Sequence, residues 1–472
     1  MRLTVLCTAA GVFGLFLFGW WDSPVSAWLA LFLYGTFYLY LLKIAPGSAL
    51  ALFPAFGGVA LTQFISGILI ESGGYLTETK EMGSATGAFL RLAVTYALFF
   101  GTAALIIEHY IERWKRNGQI DAFVARQVRP FMPLARVIDV LIGVMLAYLV
   151  YVGVKNGFPL LTGQDRFDFA NDVDDPTYLS LMGNRVMAMA YLGVMMAIAP
   201  KSGFYRFMAF GVLIVSALLG DKFTEYVISM GQLVGPSLCR MAWSDKGLPL
   251  RRIFVLGVVL VLITMPLVFV AYGGPSDASS GIGRMKDRMT LQGQLWFLAD
   301  REVTDIVKFE EAPLIAEFTK MAIPEQSSKE SDKKNPPYQG MSWMLLHFAP
   351  PSDAALRLKT GVVYCLGLHA YFLEMLGWSG LVVFNFIFAG LVGLIVAGAL
   401  YSLIYGRLVY LLYFSKFLTF WLAASSVADP SMLVNWKTFL LLLSLGFYYL
   451  LDRRFNPAFF GPHKAKPHVT VR

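Results

Sequence analysis

Apolar runs of about twenty residues recur from one end of the chain to the other, the length at which a helix crosses the roughly 30 Å hydrocarbon core of a bilayer. The stretches "WLALFLYGTFYLYLLKI" at 28–44 and "GLVVFNFIFAGLVGLIVAGALYSLIY" at 380–405 carry almost no charge on any helical face. Surface-to-volume scaling leaves no way to bury so many all-apolar helices inside a soluble body of this length. The composition agrees: charged residues make up 15% of the 472 positions, against about 25% in soluble domains. The mean hydropathy is +0.60. The expectation is an all-α polytopic membrane protein.

By the ~20-residue criterion about twelve transmembrane helices are expected, at roughly 3–20, 26–44, 49–70, 88–108, 137–155, 180–199, 204–220, 223–239, 253–272, 378–400, 406–426 and 434–451. Lysine and arginine in the short loops set the orientation. Arg113, Lys115, Arg116, Arg126, Arg129 and Arg136 share a side with Arg240, Lys246, Arg251 and Arg252, and with Arg453, Arg454, Lys464, Lys466 and Arg472. That side reads as cytoplasmic and holds both termini. The net charge of +8 is therefore an orientation signal and not a nucleic-acid footprint. The first apolar run lacks a small-residue cleavage site and reads as a retained span. Cys7, Cys239 and Cys365 fall in a span, at the cytoplasmic edge and outside, so no disulfide is expected.

Three units follow: 1–272, nine spans with an external loop near 156–179; 273–377, a large external loop; and 378–472, the last three spans and a cytoplasmic tail. Within the large loop, "RMKDRMTLQGQLWFLADREVTDIVKF" has helical spacing, "PEQSSKESDKKNPPYQG" is a polar insert, and "DAALRLKTGVVYCLGLHAYFLEML" is a second helical stretch. A loop of this length is functional or disordered.

The candidate chemistry gathers at the external face. "FPLLTGQDRFDFANDVDDP" places Arg166 behind an apolar approach, where a guanidinium can reach lipid phosphates as a bidentate donor. Asp168, Asp172, Asp174 and Asp175 in the same loop are equally explained by solvation, or as oxygen ligands for a cation that no nearby His or Cys supports. Arg185 lies inside a span, which is a functional signal unless the side chain snorkels. Lys222 and Glu225 in "GDKFTEY" pair across a helical turn or flank a polar cavity. Arg284, Arg288, Gln292 and Trp296 recur every four residues along one helical face. Two guanidiniums one turn apart suit a diphosphate, although Lys286 and Arg301 show that ordinary surface charge is present too. His369 and Glu374 in "LHAYFLEMLGWSG" compete as general base, and a lone histidine on such a helix is also accounted for as a hydrogen-bonded structural residue. Lys416 and Lys437 read as snorkelling or paired cations. No P-loop, GxSxG, HExxH or CxxC array occurs, so no cofactor and no metal site is expected.

Taken together, "GFPLLTGQDRF", "GDKFTEY", "RMKDRMTLQGQ" and "LHAYFLEMLGWSGLVVF" resemble the Wzy-type O-antigen polymerases, the oligosaccharide repeat-unit polymerases related to O-antigen ligases. The resemblance implies a GT-C-like membrane glycosyltransferase of the bacterial inner membrane, active at the periplasmic face. It implies inverting, metal-independent polymerisation of undecaprenyl-diphosphate-linked oligosaccharide, with a Wzz-type chain-length regulator and a Wzx-type flippase as partners. Carried over, Arg166, Arg284 and Arg288 would bind the diphosphate and Gln292 the sugar or phosphate. Arg185 and Lys222 would add to the substrate site, and His369 or Glu374 would deprotonate the acceptor hydroxyl. The alternatives are an O-antigen ligase and a non-enzymatic glycan transporter or flippase. A transporter would spread charge through several spans, whereas here charge gathers outside. A metal-dependent enzyme would need more acid in the first external loop than Asp22 alone.

Overall fold

The computed structural model describes residues 23–128, 130–162, 172–198, 202–220, 223–244, 278–310, 340–354, 367–427 and 436–455, together with residues 164, 169, 248 and 433. The described chain is almost entirely helical. In order it comprises α1 (Val25–Ile44), α2 (Pro46–Leu52), a π-helical turn (Phe53–Gly57), α3 (Gly58–Glu71), a short hairpin of β1 (Tyr75–Leu76) and β2 (Glu81–Met82), α4 (Ala88–Arg116), α5 (Gln119–Val124), α6 (Met132–Asn156), α7 (Pro159–Thr162), α8 (Pro176–Ile198), α9 (Ser202–Leu218) and α10 (Phe223–Ala242). After these come α11 (Ala278–Glu302), α12 (Gly340–Phe348), α13 (Leu368–Tyr405), α14 (Leu408–Val427) and α15 (Trp436–Phe455).

Seven described helical stretches are long and apolar enough to cross a membrane: Val25–Ile44, Pro46–Glu71, Ala88–Arg116, Met132–Thr162, Pro176–Ile198, Leu368–Tyr405 and Leu408–Ser425. The chain is thus multi-pass. The runs expected at 204–220, 223–239 and 434–451 are helical (α9, α10 and α15) but shorter or more polar. Those at 3–20 and 253–272 lie outside the described residues.

A helix that is apolar all round gives no amphipathic cue, so small and hydroxylated residues decide which face meets protein. In α1 the buried positions Ala27, Ala30, Tyr34, Tyr38 and Leu41 recur every three or four residues, while Trp28, Phe32 and Leu39 face outward. The two buried tyrosines fasten α1 to the irregular backbone beside Pro54. Tyr34 donates to the Gly57 carbonyl (2.6 Å) and Tyr38 to the Ala49 carbonyl (2.6 Å). Proline removes one donor of the helical ladder, and the π turn spreads that loss over Phe53–Gly57. Helices α8 and α10 approach backbone to backbone at Gly193, where a Cβ would lie 2.5 Å from the Gln232 carbonyl oxygen. Large apolar side chains on α6, α13 and α15 remain exposed, among them Val140, Val154, Val383, Phe386, Phe439 and Phe447. In a membrane protein that surface belongs to lipid.

The two ends of the bundle differ in chemistry. At one end Trp114 of α4 meets Tyr401 of α13 (6.3 Å between ring centroids) and Phe123 meets Trp243 (6.0 Å). Arg113, Lys115 and Arg116 close α4 there, and Arg407 pairs with Asp452 (3.0 Å). The opposite end gathers the hairpin, the C-terminus of α11, α12 and the start of α13.

Part of the segment read as an external loop is core. Helix α11 lies along α3 and α4, and from Leu295 to Ala299 every side chain is buried. Trp296, expected on a polar stripe with Arg284 and Arg288, is buried and donates its indole N–H to the Ala88 carbonyl (2.8 Å). Ser66 on α3 inserts its hydroxyl into the α11 ladder, donating to the Thr290 carbonyl (2.7 Å) and accepting from Gly293 N–H (2.9 Å). At the foot of α11, Asp300 takes a two-pronged guanidinium contact from Arg91, whose side chain also donates to the Thr86 carbonyl (2.8 Å). Both members of that pair are buried.

Candidate functional site at the kink of α13

Helix α13 is interrupted at Gly377, whose φ of 68° and ψ of −171° belong to no helix. Positive φ is a glycine conformation. A side chain there would also strike the crossing backbone, with a Cβ 2.8 Å from Lys308 N and 3.0 Å from the carbonyl oxygens of Asp305 and Ile306. That crossing backbone is the strap 303–310, which leaves α11 and crosses the break with a bend at Ile306 and Val307. It satisfies groups the break would orphan. Lys308 N–H donates to Leu376 O (3.3 Å), Glu310 N–H to Met375 O (3.0 Å), and Ser379 N–H to Ile306 O (2.9 Å).

The strap and the first half of α13 build a charged cluster around Glu374, which is 1% exposed. Its Oε1 accepts from the Lys308 ammonium and lies 3.5 Å from His347 Nε2. His347 also faces Glu302 (3.2 Å), and Lys308 faces Glu310 (3.5 Å). The second carboxylate oxygen, Oε2, is buried and has no hydrogen-bond partner among the described residues. Burial alone would favour loss of the Lys308 proton. The hydrogen bond and charge of Glu374, with the charge of Glu310, outweigh it and raise the ammonium above its ordinary pKa. Aromatic rings border the cluster: Trp343 stacks flat on His347 (5.5 Å, 9°) and meets Tyr371 edge-on (5.8 Å). The cluster is braced from outside by Arg301 on Glu81 (2.9 and 3.1 Å) and Lys80 on Asp353 (2.6 Å).

His369 occupies a different environment. Five residues before Glu374, it lies on another face of the same helix. It is buried among Tyr96, Phe99 and Phe388. Its Nε2 is 3.3 Å from Asn385 Oδ1, and Asn385 in turn donates to the Thr95 carbonyl (2.8 Å). This is a cross-link between α13 and α4 made through the Nε2 atom.

The other expected residues are not drawn into the cluster. Arg185 is buried in α8 and donates to the Met182 carbonyl one turn back. Gln292 lies half-buried on α11. Arg284 and Arg288 belong to the helical part of α11, but their side chains, like Arg166 and Lys222 as a whole, lie outside the described residues. In the loop of aspartates, Asp175 caps α8 by accepting from Thr177 N–H (2.8 Å) and also accepts from Tyr148. Asp172 accepts from Gln164 (2.7 Å). Lys416 donates to Asn184 (3.1 Å), joining α14 to α8.

Sequence reasoning passed over Lys308, because "REVTDIVKF" was read as continuing the helix. The helix ends at Glu302. The signal is in Val303, Thr304, Ile306 and Val307, whose β-branched side chains lower helix propensity.

Residues 335–442 are similar to a family of unknown function (DUF6418). This stretch spans α12 through α14 and contains His347, His369, Glu374 and Gly377, while Lys308 lies before it. No curated protein and no solved structure matches the chain.

Proposed function

We propose that the chain is a membrane glycosyltransferase that polymerises undecaprenyl-diphosphate-linked oligosaccharide repeat units at the periplasmic face of the bacterial inner membrane, with Glu374 as general base. One observation carries this reading: a nearly fully buried carboxylate is held through one oxygen by Lys308 and His347, while its other oxygen has no described partner. Such a group is positioned to take a proton from a hydroxyl that completes its coordination. The arrangement favours Glu374 over His369, whose Nε2 is engaged by Asn385 and whose ring is packed among Tyr96, Phe99 and Phe388.

In the proposed reaction the acceptor hydroxyl oxygen attacks the anomeric carbon of the donor sugar. The carbon–oxygen bond to the diphosphate breaks, its electron pair leaves on the phosphate oxygen, and the hydroxyl proton passes to Glu374 Oε2. Negative charge growing on the leaving group calls for fixed cations. Arg284, Arg288 and Arg166 are proposed for that work, with Gln292, Arg185 and Lys222 in supporting contacts. Trp343, which is part-exposed beside the cluster, offers an apolar face on which a sugar ring can lie. The positive-inside rule favours a cytoplasmic location for the basic end of the bundle, which supports a periplasmic Glu374 cluster.

The test uses purified protein in nanodiscs with its lipid-linked repeat unit, without nucleotide and in the presence of EDTA. A ladder of increasing glycan length is expected, and Glu374→Gln should reduce its rate by about 10²–10⁴ with protein level unchanged. A full-rate ladder from that variant would remove Glu374 from the role of base. Transfer only on addition of lipid A-core would make the chain a ligase. Neither product, with a substrate that another enzyme consumes, would turn the reading to transport.

A further inference from the structure

The strap that crosses the kink has an outer face unlike that of a water-facing loop. Ile306, Val307 and Phe309 are 74%, 74% and 70% exposed, while Lys308 between them turns inward to Glu374. Thr304 and Asp305 before them are exposed as well, so the apolar part of the strap begins at Ile306 and is interrupted only by Lys308. Single exposed apolar residues need no account, but a contiguous group at a functional surface does. Its position supplies one. Ser379 N–H donates to the Ile306 carbonyl (2.9 Å), and one helical turn beyond Ser379 the outward face of α13 begins with Val382 and Val383, continuing through Phe386 and Ile387. The strap's apolar face is therefore continuous with the outer surface of a helix long and apolar enough to span the membrane.

We infer that residues 306–309 form a bilayer-interface element, with Ile306, Val307 and Phe309 seated in the apolar margin of the membrane and Lys308 directed into the protein. The occupant of this surface is lipid. The placement fixes the depth of the Glu374 cluster, directly behind the strap, at the membrane boundary and not out in the aqueous phase. A consequence that rests on the proposed function is that a donor anchored by a long hydrocarbon tail reaches Glu374 sideways, from the membrane, past the strap. The seating of the strap stands independently of that chemistry. Loss of transfer activity would leave the strap assignment intact, and a water-exposed strap would leave the transfer reaction intact.

The experiment places nitroxide labels on cysteines introduced singly at Ile306, Val307 and Phe309 in the full chain, with Cys7, Cys239 and Cys365 replaced by alanine. The protein is reconstituted in phosphatidylcholine–phosphatidylglycerol liposomes. Collision with oxygen is expected to exceed collision with a water-soluble nickel chelate, as at a Val383 control and opposite to an Arg116 control. A nickel-dominated profile would put the strap in water and overturn the inference. Low collision with both reagents would show the surface covered by the chain itself and would overturn it equally. Should the cysteine-free background not fold, a benzoyl-phenylalanine at Phe309 in the otherwise native chain gives the same decision on irradiation: a lipid adduct supports the inference, and an intramolecular cross-link or no adduct refutes it.

Discussion

His369 and Glu374 stand five residues apart on one helix, both buried, both ionisable, and both plausible bases on sequence grounds. Their surroundings separate them. His369 sits among three aromatic rings and is tied by its Nε2 through Asn385 to the Thr95 carbonyl, so that atom serves the joint between α13 and α4. Glu374 is tied on one oxygen, to Lys308 and His347 carried by segments outside the spans, and its other oxygen has no hydrogen-bond partner among the described residues. Buried polar groups that are fully engaged act as fasteners. A buried carboxylate engaged on one side is costly to fold around, which makes it a functional signal.

The sharpest way to break this contrast begins with the framework both residues depend on. Arg91→Met should destabilise the protein by about 3–5 kcal/mol, because it strands the Asp300 carboxylate in a buried site. Much of that loss should return in the Arg91→Met/Asp300→Leu double variant. Unfolding in detergent monitored by circular dichroism measures both, and an unchanged midpoint in the single variant would show that Asp300 finds another partner. His369→Ala comes next, at about 2–4 kcal/mol from the cavity left among the rings. Turnover per folded molecule should stay near that of the parent chain, in contrast to Glu374→Gln. A collapse of turnover with stability retained would reverse the two assignments.

The smallest effect concerns protonation. The Lys308 pKa is raised in the folded protein, so its stabilising contribution is fully present below the ordinary lysine value near 10.5 and is lost as the pH rises through the higher folded value. Lys308 therefore stays protonated across the neutral range. Competitive acetylation followed by mass spectrometry should give Lys308 a midpoint above 10.5, falling back in Glu374→Gln. An equal midpoint in both chains would mean that Glu374 does not govern it.

The membrane class and most helix positions were readable from run length alone, since a bilayer demands about twenty apolar residues wherever a helix crosses it. Glu374 was readable as an acid at the mouth of a span. Lys308 and His347 were not, because their meeting depends on a strap folding back across a broken helix, and Gly377 looks like any other glycine until a backbone crosses it. The burial of Trp296 was hidden for a related reason. A four-residue repeat identifies a helical face but not what that face meets, and Ala88 lies more than two hundred positions earlier in the chain.

The Ser66 hydroxyl, lodged between the Thr290 carbonyl and the Gly293 amide, works as a key in a keyway. Sliding α11 by a single residue along α3 would leave both of its bonds unmade and drive Ser66 against new side chains. Translation of α11 is thereby removed from the motions open to the protein. With that slide closed off, rotation at the Gly377 break and lifting of the strap 303–310 are the movements that would uncover Glu374. The moving mass is then a handful of residues, and the helices packed around them stay still.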